Sequence, residues 1–323
     1  MIVAGNEREH RLVSEFAELV PAGALLVTND TRVRRARLLG TRRPAGGKVE
    51  LLLLEGCGPW PDGRERWRAL GRASKPLREG TRIDVAELEI EVLSRGADDG
   101  LLELAIAVPG TVEAALERVG HVPIPPYLGR EDDGEDVERY QTVYAQRTAS
   151  VAAPTAGLHL NQGLLERLVA RGVTLGRLEL EVGLGTFRPV TASDLDQHPM
   201  HEERFSVDAE LASQIRAARA RNAPVVAVGT TVVRALESAA DAGRAGEVRP
   251  FQGSTRLLIQ PGYRFRVVDA LLTNFHQPRS TLLALVSAFA GYDATRAAYS
   301  EALQSGYRFL SYGDAMWIPR RAE

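Results

Sequence analysis

The spacing of apolar positions changes character twice along this chain of 323 residues. Residues 12–20 (LVSEFAELV) place apolar side chains at helical intervals, and Pro21-Ala22-Gly23 closes the segment. The run ALLVTND follows as a buried strand leading into a polar turn. From Arg35 to about Pro123 the period shortens to that of strands. KVELLLLEG, RWRALGR, TRIDV, LEIEVLS and LLELAIAV are separated by Gly, Pro and Asp turns at roughly ten-residue spacing, which predicts a small antiparallel barrel or sandwich. A short helix over TVEAALERVG and the extended, proline-marked VPIPPYLGR lead out of it. The acidic run REDDGEDVER that follows reads as an exposed, mobile loop.

Beyond Ala149 the two periods alternate. NQGLLERLVARG, DAELASQIRAARARN, TTVVRALESAADAG and TLLALVSAFAG have helical spacing, while TLGRLELEVGLG, PVVAVG, STRLLIQPG and RVVDALLTN read as strands. Such alternation calls for a sheet covered by helices on its faces. Because ALLVTND resembles these later strands, the chain reads as an α/β protein with a discontinuous mixed-sheet domain (1–34 and 123–323). An inserted small antiparallel β-barrel domain takes up 35–122.

Composition narrows the class. Apolar content of 44% and charged content of 25% are ordinary for a globular protein. A single cysteine, Cys57, excludes an intramolecular disulfide framework and a cysteine-rich zinc site. No apolar stretch reaches the length of about 18 residues that a membrane span needs. The opening MIVAGNEREHRLV lacks the parts of a signal peptide, so a cytoplasmic location with no membrane partner is expected.

A net charge of −2 argues against a general nucleic-acid binder, but the charge is unevenly spread. Arg32–Arg82 holds 14 basic and 5 acidic residues, whereas Ile83–Glu138 holds 3 basic and 15 acidic. Such a dipole can present one face to polyphosphate, although a merely solvated basic face gives the same counts. Against 38 arginines there are two lysines, Lys48 and Lys75. A compact ammonium and a planar guanidinium are not interchangeable, so these two positions stand out.

Candidate chemistry gathers at strand ends, where open α/β sheets bind ligands. Four ends carry hydroxyls, amides and glycines: Asn29-Asp30-Thr31-Arg32, the stretch Gly183 to Arg188, Gly229-Thr230-Thr231, and Thr273-Asn274-Phe275-His276. Thr230 or Thr231 serving only as a helix cap is the plain alternative. The run SVAAPTAGLHL fits neither strand nor helix, with Pro154 and Gly157 inside it and His159 near its end. It suits a close-fitting wall beside a ligand. Neither a dinucleotide fingerprint nor a phosphate loop is present. His198-x-x-His201 with Glu203 suggests a metal, but Pro199 opposes a regular helix and no third ligand is evident, so acid–base or substrate contacts suit these imidazoles better.

The motifs NDTRV.ARL.G, GGKVELLLL, ASK.L..G, P.PPY..R......ERYQTVYA, SVAAPTAGLH, EVGLGTFRPV, H.MH.E.F, AVGTT.VR.LES, PGY.F.VVD.LLTNFH.P.STLL.LVSAFAG and YRF.SYGDAM.I occur in this order from Leu25 to Ile318. Together they resemble the S-adenosylmethionine:tRNA ribosyltransferase-isomerase family of queuosine biosynthesis. The resemblance implies transfer of the ribosyl part of S-adenosylmethionine to 7-aminomethyl-7-deazaguanine (preQ1) at the tRNA wobble position. The sugar isomerises, giving epoxyqueuosine, and adenine and methionine leave. It also implies an α/β domain with an inserted barrel, no metal, and no cofactor beyond S-adenosylmethionine as substrate. The implied partner is a tRNA carrying preQ1.

Site roles follow as expectations. His159, His276 and Glu203 are the proton-transfer candidates. Thr155, Gly157, Gly183, Gly185, Thr186, Arg188, Thr230, Thr231 and Asn274 would line the substrate. Asp30 and Arg32 would hold ribose hydroxyls or the incoming amine, and Tyr140 would stack or donate a hydrogen bond. Lys75 would join the substrate contacts, and Arg34, Arg35, Arg42, Arg43 and Lys48 would meet anticodon-stem phosphates. Three departures from the family pattern stand out. The opening is shorter, which leaves open a missing edge strand or a start downstream of the true one. Leu160 replaces the usual Phe after His159, and Phe205 stands where Tyr is common. Two rival readings use the same features: a catalytically silent RNA-binding homologue, and a methyltransferase that would yield S-adenosylhomocysteine.

Overall fold

Strands of alternating polarity bury one face when they close on themselves. Here Arg37–Arg43, Lys48–Pro59, Glu65–Ala73, Arg82–Val85, Leu88–Arg95 and Leu102–Ala107 form a closed antiparallel barrel. Their inward side chains, among them Leu38, Leu51, Leu53, Trp67, Ile83, Ile90 and Leu104, are its core. Gly71 is needed there, because a Cβ would fall 2.4 Å from a Leu102 methyl and 2.5 Å from one of Leu77. The helix Val112–Val119 starts where the Thr111 hydroxyl accepts the Ala114 amide.

The computed structural model describes residues 1–44, 46–96, 100–183, 195, 200, 202–240 and 246–319. The chain forms two compact units, one of residues 1–32, 141–147 and 153–323, the other of 33–140 and 148–152. The barrel unit takes in the acidic run, which is exposed along most of its length as expected, although Asp132 and Asp136 are tied into the unit. Asp132 accepts from the Val122 amide at 2.9 Å and meets His121 and Arg37. Asp136 is buried beneath a two-point pair with Arg130, which holds its carboxyl below the usual range. Buried acceptors, rather than free charges, account for these aspartates.

In the other unit, nine strands of the described residues make one mixed sheet. Its order is Phe251–Thr255, Glu203–Val207, Thr174–Leu180, Leu25–Asn29, Val225–Val228, Ala270–Asn274, Ala315–Ile318, Ile2–Ala4 and Glu7–Glu9. The central four, from Thr174–Leu180 to Ala270–Asn274, are mutually parallel. One face packs Leu26, Val226, Val228, Ala270 and Leu272 against Phe16, Leu160, Leu164 and Leu168. The helices Gln162–Ala170, Ala209–Ala220 and Thr281–Ala290 each start at a side-chain cap, supplied by Asn161, Asp208 and Ser280. The chain leaves Leu25–Asn29 and returns on one side as Thr174–Leu180 and on the other as Val225–Val228. That strand is the switch point at which such sheets bind ligands. Among the described residues no helix is long and apolar enough to cross a membrane.

Candidate functional site

Register decides which polar groups share a face. Leu26, Val226 and Ala270 are aligned across the parallel strands, so Asp30 and Asn274, each four residues further on, lie on the same face at the carboxyl ends. The segment Thr155–His159 is a short 3-10 turn on that side, buried at Ala156 and Gly157. Gly157 is fixed by space: a Cβ would stand 2.0 Å from the Tyr144 hydroxyl and 2.8 Å from the Thr142 methyl. Leu160 is buried in the core below.

Asn274 gathers this turn. It accepts from the Thr155 hydroxyl at 3.0 Å, and its amide nitrogen lies 3.0 Å from His159 Nε2. With the amide so placed it donates to Nε2, and the imidazole proton sits on Nδ1. Burial pushes the His159 pKa down, with Asp314 opposing in part. The ring is therefore neutral at pH 7.

His276 shares a 2.9 Å hydrogen bond with the Thr273 hydroxyl through Nε2, and its backbone amide donates to Tyr299. Burial lowers its pKa to about 4. An unfolded histidine still binds a proton below its ordinary value of about 6.5, so this neutral ring contributes stability above that pH and loses it as the pH falls towards 4. The loss is up to about 3 kcal/mol. Urea titrations across this window should show it for the wild-type protein and a shallower decline for His276→Gln. Parallel profiles would refute the assignment.

Glu203 lies on the strand Glu203–Val207, fully buried against Arg234 of the helix Thr230–Ala239. Burial raises its pKa, while Arg234 and the Gly183 amide pull it back down. Arg234 also donates to the Leu257 carbonyl at 3.0 Å. Asp30 is buried with Oδ1 unpartnered among the described residues, and it lines a cavity of about 420 Å³ together with Arg147, Arg177, Glu179 and Asp208. Burial and then Glu179 raise its pKa. Thr230 and Thr231 are buried in the first turn of their helix, but neither is the cap, since Gly229 holds that position. Arg32 is exposed. Gly185, Thr186 and Arg188, with His198 and His201, lie outside the described residues.

The barrel unit corrects several expectations. Tyr140 is fully buried and offers no ring face for stacking. Arg34 is buried, paired with Glu113 at 2.9 Å, bonded to the Leu54 carbonyl and stacked over Trp67, so its charge does not reach a phosphate. Arg35 caps the carbonyls of Glu117 and Gly120. Arg42 donates to the carbonyls of Lys75 and Pro76, and Arg43 pairs with Asp84 at 2.5 Å. Lys48 and Lys75 are exposed, and Lys48 lines a concave surface of about 870 Å³ with Arg37 and Arg72. Cys57 is half-buried in the strand Lys48–Pro59.

Two important residues had gone unread. Arg234 anchors Glu203, and the buried Glu237 accepts the amides of Arg266, Val267 and Val268 at 2.8 to 3.0 Å. Both stand in TTVVRALES, where a charge every third residue on an otherwise apolar helix is the available signal.

A sheet with a parallel centre, a switch point, and hydroxyl, amide and imidazole groups gathered at its strand ends defines an α/β enzyme of the ligand-binding type. The model of the queuosine biosynthesis protein family matches residues 1–318, and the chain belongs to that family. It is 56% identical to the S-adenosylmethionine:tRNA ribosyltransferase-isomerase of Sorangium cellulosum (strain So ce56), over 97% of this chain and 88% of that relative. The protein of the same description from Anaeromyxobacter dehalogenans (strain 2CP-C) is 52% identical, over 99% and 92%. Among solved structures, an S-adenosylmethionine tRNA ribosyltransferase from Thermotoga maritima is similar with a TM-score of 0.52 and 33% identity, over 98% of this chain and 91% of that one.

Proposed function

We propose that this chain transfers and isomerises the ribosyl moiety of S-adenosylmethionine onto preQ1 at the wobble position of tRNA, releasing adenine and methionine. The observation that carries this reading is the near full-length match to relatives bearing that activity's name. The geometry agrees with the chemistry. A sulfonium acidifies the adjacent C5′ protons, and a base near that carbon starts the reaction. A neutral His159 does not repel a cationic substrate, and its Nε2 lone pair, which accepts from Asn274 in this structure, takes the proton once that hydrogen bond opens. His276 is a second neutral imidazole, two residues beyond Asn274, and suits a substrate contact rather than the acid that protonates departing adenine. Glu203, tied to Arg234, shapes the site more than it carries protons. Asp30, which lines a cavity and keeps a buried oxygen unpartnered among the described residues, suits the incoming amine. Adenine release should require both S-adenosylmethionine and preQ1-containing tRNA. Equal release with a tRNA carrying guanine at the wobble position would sink the acceptor assignment.

Lys48, expected to meet tRNA, and Lys75, expected among the substrate contacts, are both exposed with no hydrogen bond or ion pair from their ammonium groups among the described residues, which suits both to tRNA phosphates rather than to S-adenosylmethionine. Replacing both by alanine should weaken tRNA binding and flatten its dependence on salt by up to roughly two units, since each neutralised phosphate releases counterions. S-adenosylmethionine affinity should hold. An unchanged slope, measured by filter binding, would move the tRNA surface off this part of the barrel unit.

A further inference from the structure

Among the described residues, the helix Thr230–Ala239 begins without a side-chain cap. Its N-cap is Gly229, with φ +94°, a backbone conformation that favours glycine. No acidic residue occupies the first turn. The Thr231 hydroxyl is buried, has no partner among the described residues, and lies 3.6 Å from the point where a Cβ on Gly229 would stand. It is therefore folded back over the helix end. Ala156, from the wall that carries Thr155 and His159, lies 3.5 Å from the same point.

An uncapped helix end with first-turn amides and an unused buried hydroxyl is, among the described residues, a donor set without an acceptor. We propose that it is a carboxylate subsite, holding the amino-acid carboxylate of S-adenosylmethionine. The inference rests on the proposed function. Of the charged groups on that molecule, the sulfonium and ammonium are cationic and only the carboxylate is anionic. The partial positive charge of a helix N-terminus attracts that group and disfavours the other two. Seating the carboxylate here, next to Ala156, brings the rest of the molecule alongside the wall that ends in His159.

Calorimetric titration without tRNA tests this, using S-adenosylmethionine, its decarboxylated analogue and 5′-methylthioadenosine. The wild-type protein should prefer S-adenosylmethionine over the decarboxylated analogue by roughly ten-fold or more, the value of hydrogen bonds to a charged group. Thr231→Val should cut that preference several-fold, Thr231→Ser should restore it, and 5′-methylthioadenosine should bind all three proteins alike. Equal wild-type affinity for the first two ligands, in a protein that still releases adenine, overturns the subsite alone. So does a Thr231→Val variant that weakens all three ligands equally, which marks a structural role. A folded wild-type protein that binds none of them overturns the proposed function along with it.

Discussion

Replacing His159 by alanine is expected to lower the rate of adenine release by about 10²–10⁴-fold while the protein stays folded. The ring is held through one bond to Asn274 and is only partly covered, so its loss leaves no large core cavity. The same geometry predicts a pH signature. Because burial depresses its pKa, His159 stays unprotonated below the ordinary imidazole value. kcat/KM should therefore hold level as the pH falls through about 6.5 and decline only below it. Asn274→Ala, which frees the ring to turn, should cost less than losing the ring itself. Single-turnover kinetics would check both variants. A near-normal rate in folded His159→Ala would remove the residue from the chemistry.

The largest stability effect should come from Arg234. Arg234→Met strands the Glu203 carboxylate in the interior, and breaking one side of such a pair costs about 3–5 kcal/mol. Removing both charges, in Glu203→Gln with Arg234→Met, should recover much of the loss, since the buried charge is then gone. The single variant should also close the gap to wild type as the pH drops and the stranded carboxyl takes up a proton. Chemical denaturation at two pH values decides it. A double variant as unstable as the single one would mean that the arginine matters through packing and its bond to Leu257.

Why some of this was legible in the chain follows from particular residues. Period-two runs such as KVELLLLEG carry their inward face in the sequence, and the barrel strand Lys48–Pro59 follows directly. Asn161, Asp208 and Ser280 announce their helices by the same logic. Side-chain partners were not legible, because pairing is a long-range property. Arg34 and Arg43 look alike in TRVRRARLLGTRR, yet Glu113 and Trp67 bury the first and the second stays on the surface. Aspartates of the acidic run read as solvated charge until His121, Val122 and Arg130 are placed around them. Asp30 and Asn274 stood out as strand-end polar residues. Their sharing one face needed the strand register.

The fate of the ribosyl carbons distinguishes this reaction from its rivals. S-adenosylmethionine labelled with heavy carbon throughout its ribose, incubated with this protein and preQ1-containing tRNA, should deliver every labelled carbon to the wobble nucleoside, with one adenine and one methionine released per transfer. Mass spectrometry of the digested tRNA reads this directly. An unlabelled wobble nucleoside, or S-adenosylhomocysteine in place of adenine and methionine, would contradict it.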